Sequence, residues 1–223
     1  MKKTLTMALG LAVIASAAFA EPTYSKNAVG FINIPATGGQ LYALTVPLDN
    51  MDADNGIWKF EDTQIAKDAD DGSSVYFWTG TRWAEYVKGR DGFGIDEAYE
   101  ALTPGQCFFF QPSSDMMLTM SGQVPDSSNT VVKVTGAKNL SAIGNPYPVQ
   151  FKFEESQLAQ DASDGASVYF WTGTRWAEYV KGRDGFGVDE AFEFVTPGQG
   201  FFFQTTDDDS ESEWKVEKEY KYP

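Results

Sequence analysis

Residues Ser74–Gly94 read SVYFWTGTRWAEYVKGRDGFG, and the same letters return as Ser167–Gly187, 93 positions later. A self-match of this length marks two copies of one structural unit, so fold, domain count and binding valency follow from the period. The block carries two tryptophans, two tyrosines and two phenylalanines, mostly alternating with polar residues. Alternation of that kind reads as β-strand, not as a catalytic signature.

The repeat extends on both sides of the block. Downstream, Ile95–Tyr99 matches Val188–Phe192, Thr103–Gln106 matches Thr196–Gln199, and Phe108–Gln111 matches Phe201–Gln204. Upstream, Asp71-Gly72 matches Asp164-Gly165. Leu41 and Pro47 align with Leu140 and Pro146 once six extra residues in the first copy are allowed. Each unit is then about 95 residues, close to ordinary domain size. The polar, turn-rich stretch Val124–Asn129 sets the boundary, giving a first repeat over 21–125 and a second over 126–223.

Short β-branched runs predict strands at Val29–Ile34 and Thr130–Thr135, followed by Leu41–Val46 and Leu140–Ile143. Val75–Trp78 and Arg82–Val87 flank Thr79-Gly80-Thr81, which predicts a hairpin. The Phe triplets 108–110 and 201–203 read as strands buried on both faces. Leu118–Val124 and Trp214–Tyr222 close the two units, and only Glu61–Lys67 and Glu154–Gln160 suit a short helix. The pattern predicts an all-β chain: two tandem antiparallel β-sandwich repeats, immunoglobulin-like or jelly-roll-like, after a cleaved signal peptide.

That signal is Met1–Ala20, with Lys2 and Lys3, the apolar run Met7–Ala18, and then Ala18-Phe19-Ala20. The run is shorter than the roughly 20 apolar residues of a spanning helix, so no membrane span is expected in the mature chain. Cleavage before Glu21 would place the protein in the periplasm, at the cell surface or outside the cell. Loss of the two lysines leaves 15 basic against 32 acidic residues, a net charge of −17. So acidic a surface repels nucleic acid and anionic lipid. It suits plain solubility, divalent cations or a saline habitat. The chain has no histidine, which removes the commonest general base and transition-metal ligand. Its one cysteine, Cys107, aligns with Gly200, so the unit needs no thiol there and a buried small side chain is expected.

Gly144-Asn145-Pro146-Tyr147-Pro148, Val168-Tyr169-Phe170-Trp171 and Pro197-Gly198-Gln199-Gly200-Phe201-Phe202 form a GNPYP, YFW, GQGFF pattern. It is similar to a β-sandwich module of secreted and surface proteins of Bacteroidetes, where it often precedes a type IX secretion sorting domain. The wider layout, including Tyr24–Phe31, resembles exported proteins of Verrucomicrobia and their relatives. The first repeat departs from the pattern with Thr45-Val46-Pro47-Leu48 and with Cys107 at the second glycine of GQG. The resemblance implies an exported β-module without catalytic residues, its motifs serving as turn and core determinants.

The candidate ligand-binding aromatics are Trp78, Trp83 and Tyr86, with Trp171, Trp176 and Tyr179 in the second copy. Within Arg82–Val87, Trp83, Glu85 and Val87 share one face of the strand while Arg82, Ala84 and Tyr86 share the other. An exposed ring among them would stack on a sugar. Packing in a core is the plainer expectation for rings of this size. Arg90 and Arg183 sit in the glycine-rich loops Gly89–Gly94 and Gly182–Gly187. Such a loop either brings backbone amides and the guanidinium to a carboxylate or sulfate, or simply makes a hairpin turn.

Asp52, Asp54 and Glu61 fall near EF-hand spacing counted from Asn50, although Asn50 and Asn55 stand where Asp and Gly belong. Calcium is thus the one cofactor with a candidate site, and otherwise none is expected. Without histidine no Ser/His or Cys/His pair forms, and no catalytic residue is assigned. The expected function is a non-enzymatic structural or adhesive component of the cell surface or extracellular matrix. The alternatives are a bivalent carbohydrate-binding protein and a calcium-dependent surface assembly protein. Polysaccharide, other surface proteins or further copies of the chain are the expected partners. Core packing alone would let Thr81, Arg82, Lys88 and Arg90 drift between copies, so their identity points to recent copying or a shared surface role.

Overall fold

The computed structural model describes residues 28–53, 55–126, 129–136, 138–206 and 212–217. The expected signal segment Met1–Ala20, the candidate ligand Asp54 and the end of the last expected strand, Lys218–Tyr222, lie outside them. In the first repeat the strands are β1 (Val29–Ala36), β2 (Tyr42–Leu44), β3 (Trp58–Lys59), β4 (Ser74–Trp78), β5 (Trp83–Val87), β6 (Ala101–Leu102), β7 (Phe108–Gln111) and β8 (Met116–Gln123). The second repeats the order with β9 (Asn129–Val134), β10 (Leu140–Gly144), β11 (Phe151–Lys152), β12 (Ser167–Trp171), β13 (Trp176–Val180), β14 (Phe194–Val195), β15 (Gly200–Gln204) and β16 (Ser212–Glu217). Short helices α1 (Gln64–Asp68) and α2 (Gln157–Asp161) follow β3 and β11.

Strands β2-β7-β4-β5 hydrogen-bond into an antiparallel sheet, while β1 pairs with β8 and β3 with β6. The second repeat has the same plan: β10-β15-β12-β13, β9 with β16, and β11 with β14. The chain is all-β, with two sandwich-like halves of matching topology. Among the described residues no helix is long and apolar enough to cross a membrane.

Period-two alternation decides the layers. Val75 and Phe77 of β4 point inward with Phe108 and Phe110 of β7, and meet Leu118 and Met120 of β8 in one buried cluster. Val168, Phe170, Phe201, Phe203 and Trp214 form its counterpart. Phe60 and Phe153, in the turns before the helices, seat edge-on against these rings. Full burial of a ring stabilises by about 1.5–3 kcal/mol. That supports repeats whose one cysteine, Cys107, is free.

The helices are fastened by residues of the duplicated block. Thr63 Oγ1 accepts from Ala66 N at 3.2 Å and caps α1 at its start. Lys88 Nζ donates to the carbonyls of Ala66 and Ala69 at 2.6 and 2.7 Å and caps its end. Lys181 does the same for Ala159 and Ala162 at 2.7 and 2.6 Å. Lys88 is therefore a structural residue, which explains its identity in both copies. Arg82 belongs to the hairpin loop instead of the strand, because Trp78 pairs with Trp83 as the last rung. Thr79 Oγ1 accepts from Arg82 N at 3.2 Å and donates to Arg82 O at 2.9 Å, closing the loop beside the backbone bond from Thr79 N to Arg82 O at 2.9 Å.

Candidate functional site

Each four-stranded sheet has an outer face, and the two outer faces meet. Trp78, Trp83 and Phe109 from the first repeat close against Trp171, Trp176 and Phe202 from the second. Phe202 lies 5.4 Å from Trp78 and 5.6 Å from Trp83 between ring centres. Phe109 lies 5.7 Å from Trp171 and 5.5 Å from Trp176. All four contacts are edge-to-face, each adding about 0.5–1.5 kcal/mol beyond area burial. The Phe triplets are thus buried on both faces: the outer two rings in their own repeat, the middle one against its neighbour.

Polar contacts repeat the reciprocity. Trp78 Nε1 donates to Leu140 O at 2.9 Å, and Trp171 Nε1 donates to Leu41 O at 2.7 Å. Leu41 and Leu140 are aligned positions. Thr45 N donates to Gly198 O at 3.0 Å, and its aligned residue Gly144 donates to Gly105 O at 2.8 Å. Residue i of one repeat touches j of the other, and j touches i, as at a twofold axis.

Two aligned pairs lie on that axis and differ in size. A Cβ added to Gly200 would overlap Cys107 Sγ and lie 2.9 Å from Cys107 Cβ. A Cβ added to Gly144 would lie 2.8 Å from Thr45 Cγ2. On the axis equivalent residues face each other, and there is room for one side chain per pair. Thr45 and Cys107 are among the positions at which the first repeat departs from the GNPYP and GQGFF pattern. Cys107 is buried, which pushes its thiol pKa far above the usual range. Thr45 Oγ1 is buried there without a hydrogen-bond partner among the described residues.

The sequence-predicted ligand residues fall in different places. Trp78, Trp83, Trp171 and Trp176 are half-buried in the contact, and within each repeat the two indoles meet edge to face at 5.1 Å between ring centres. Tyr86 and Tyr179 lie on the opposite face, packed on their own cores, and donate to Asp96 and Asp189 at 2.8 Å each. Burial, and then those carboxylates, raise both phenol pKa values. On the outer face Tyr76 donates to Glu85 at 2.9 Å and Tyr169 to Glu178 at 2.9 Å, with burial again the first cause of raised values.

Arg90 and Arg183 are exposed at turn tips closed by the pairs Gly89–Gly92 and Gly182–Gly185. The amides behind those tips already hold an anion. Phe93 N and Gly94 N donate to Glu61 Oε1 at 2.8 and 3.1 Å, and Glu154 receives Phe186 N and Val188 N at 3.3 and 3.2 Å. A side chain at Gly92 would sit 3.2 Å from Glu61 Oε2, so glycine permits this approach. Glu61 is therefore a buttress of the loop and not a ligand of the Asn50–Glu61 stretch. Asp52 is exposed, and its amide donates to Asn50 Oδ1 at 2.9 Å in an Asx turn. The two described members of the calcium set serve different turns, and among the described residues no three acidic or cysteine side chains gather as metal ligands. Thr81, Arg82, Arg90 and Asp91 are exposed in both copies, and nothing in the structure explains their identity.

Sequence reasoning missed Phe109, Phe202, Leu41 and Leu140 as partners of the tryptophans. A signal was present: a strand apolar on both faces needs a cover on its outer side. The fold and this contact define a tandem all-β protein whose repeats form an internal, pseudo-symmetric pair. In comparisons with known proteins, no family model, curated protein or solved structure matches the chain.

Proposed function

We propose that the chain is an exported, non-enzymatic protein that serves as a structural or adhesive component of the cell surface or extracellular matrix. The observation that carries this reading is the reciprocal aromatic contact. It commits the most distinctive duplicated side chains to joining two β-units into one body, a mechanical use and not a chemical one. The signal-like start, the acidic surface and the resemblance to exported β-modules agree with it. We favour this reading over carbohydrate binding through the hairpin tryptophans, because Trp78, Trp83, Trp171 and Trp176 are packed in the contact between the repeats.

Cell fractionation, together with electron microscopy of the purified chain with and without calcium, tests the proposal. Surface or matrix location with ordered assemblies is the expected result. Cytoplasmic location, with a monodisperse monomer in every condition, would overturn it.

A further inference from the structure

The six extra residues of the first repeat fall between Asp49 and Ile57, and the chain there doubles back before β3. Asn50 N donates to Gly56 O at 2.8 Å, and Gly56 N donates to Ala53 O at 2.9 Å. Gly56 has φ +69°, and a Cβ on it would lie 3.3 Å from Asp49 Cγ. Glycine thus lets the returning chain close against the Asp49 side chain. Both residues border a cavity of about 240 Å³, whose other walls include Trp58, Leu102, Pro47, Pro104 and, from the second repeat, Pro146. Among the described residues no basic side chain lines it.

Asp49 is half-buried, and its carboxylate has no hydrogen bond or ion pair among the described residues. Burial accordingly raises its pKa, with nothing to offset the loss of water. Its backbone is fixed all the same. Asp49 N donates to Gln123 O at 2.8 Å, and Gln123 N donates to Asp49 O at 2.9 Å. Trp58 is fixed as well, its Nε1 donating to Leu48 O at 2.8 Å. The second repeat carries Pro148 in place of Asp49 and Phe151 in place of Trp58. The backbone frame is kept, since Trp58 pairs with Leu102 as Phe151 pairs with Val195. Carboxylate, indole and extra residues therefore belong to the first repeat alone, whereas a determinant of the shared fold would recur in both.

We propose that this cavity binds a small organic cation, a protonated amine or a quaternary ammonium, with its charge on the Asp49 carboxylate and its apolar body against Trp58 and the prolines. Small-molecule sites combine apolar walls with a few placed polar groups, and an indole attracts ammonium groups as well as apolar ones. A cation beside the carboxylate supplies the stabilisation that burial removes. The net charge of −15 draws cations to the chain and turns anions away. A calcium ion fits poorly, because it takes many oxygen ligands and this cavity offers one carboxylate among proline and leucine. The site goes beyond the proposed surface role and stands whether or not the chain assembles.

The test is calorimetric titration of the full chain with choline, tetramethylammonium and butylamine. The control ligand is the uncharged alcohol in which a tert-butyl group replaces the trimethylammonium of choline. Saturable binding of at least one cation is expected, with none of the alcohol. Asp49→Asn keeps the backbone bonds to Gln123 and should weaken binding about tenfold or more. Trp58→Phe, which installs the residue of the second repeat, should weaken it less, and melting curves check both folds. In the parent protein the indole N–H resonance of Trp58, assigned by its loss in Trp58→Phe, should shift as the cation is added. Co-sedimentation with phosphatidylcholine vesicles would make a lipid headgroup the source of the ammonium, and its absence a free cation. The proposal is overturned if no cation saturates, if the alcohol binds as well, or if Asp49→Asn binds unchanged. A Trp58 resonance that stays in place, or Asp49-dependent binding of calcium without any organic cation, would overturn it too.

Discussion

Trp78 donates its indole N–H to the carbonyl of Leu140 at 2.9 Å, tying the hairpin of one repeat to an edge strand of the other. Trp171 makes the same bond to Leu41 at 2.7 Å. Between these two bonds lie the four cross-repeat ring contacts, so the aromatic part of the duplicated block is identical because each copy must fit the other.

Trp78→Phe and Trp171→Phe keep a ring but leave a carbonyl unpaired at the contact. Each should destabilise by about 1–3 kcal/mol, and by similar amounts, because the sites are equivalent. Equilibrium urea unfolding measures this. A loss at one site with none at the other would contradict the reciprocity.

Thr45→Val replaces a buried hydroxyl, which has no partner among the described residues, with a methyl of the same shape. The expected gain is about 1–2 kcal/mol, read as a higher melting temperature. A drop would mean that the hydroxyl is bonded.

Tyr76, Tyr86, Tyr169 and Tyr179 have phenol pKa values raised chiefly by burial and then by their carboxylate acceptors. Their folded values lie above the unfolded one. The stability they confer is therefore complete below about pH 10 and lost as pH rises through the folded values. Urea midpoints across that range should fall, and more gently in the variant carrying Tyr76→Phe and Tyr169→Phe.

Cys107 is buried on the axis with its thiol pKa pushed far up. A thiol reagent at mildly alkaline pH should label it only as fast as the protein unfolds. Labelling of the native protein at the rate of a free thiol would place Cys107 elsewhere.

Much of the fold was legible because alternation is local. Val75 and Phe77 against Tyr76 and Trp78 define the two faces of β4 whatever lies beyond them. What covers the outer face is a tertiary fact. Trp83 beside Glu85 reads alike whether the face meets a sugar or a second sheet. The same holds for Glu61 and the glycine loop. Each looked like half of a ligand site, one for a cation and one for an anion, until the fold brought them together and each satisfied the other. Position 107 shows the limit most clearly. Cys in one copy and Gly in the other looked like tolerance, whereas a shared axis makes the two residues complementary.

Exchanging that pair measures the central claim most directly. Under reducing conditions, Cys107→Gly leaves a void and Gly200→Cys overfills the axis, each costing about 1–3 kcal/mol in urea unfolding. If equivalent faces meet on a pseudo-twofold axis, the combined exchange carries its one side chain in from the other side. Its stability then returns to within about 0.5 kcal/mol of the parent. Losses that simply add in the double variant would contradict the paired arrangement.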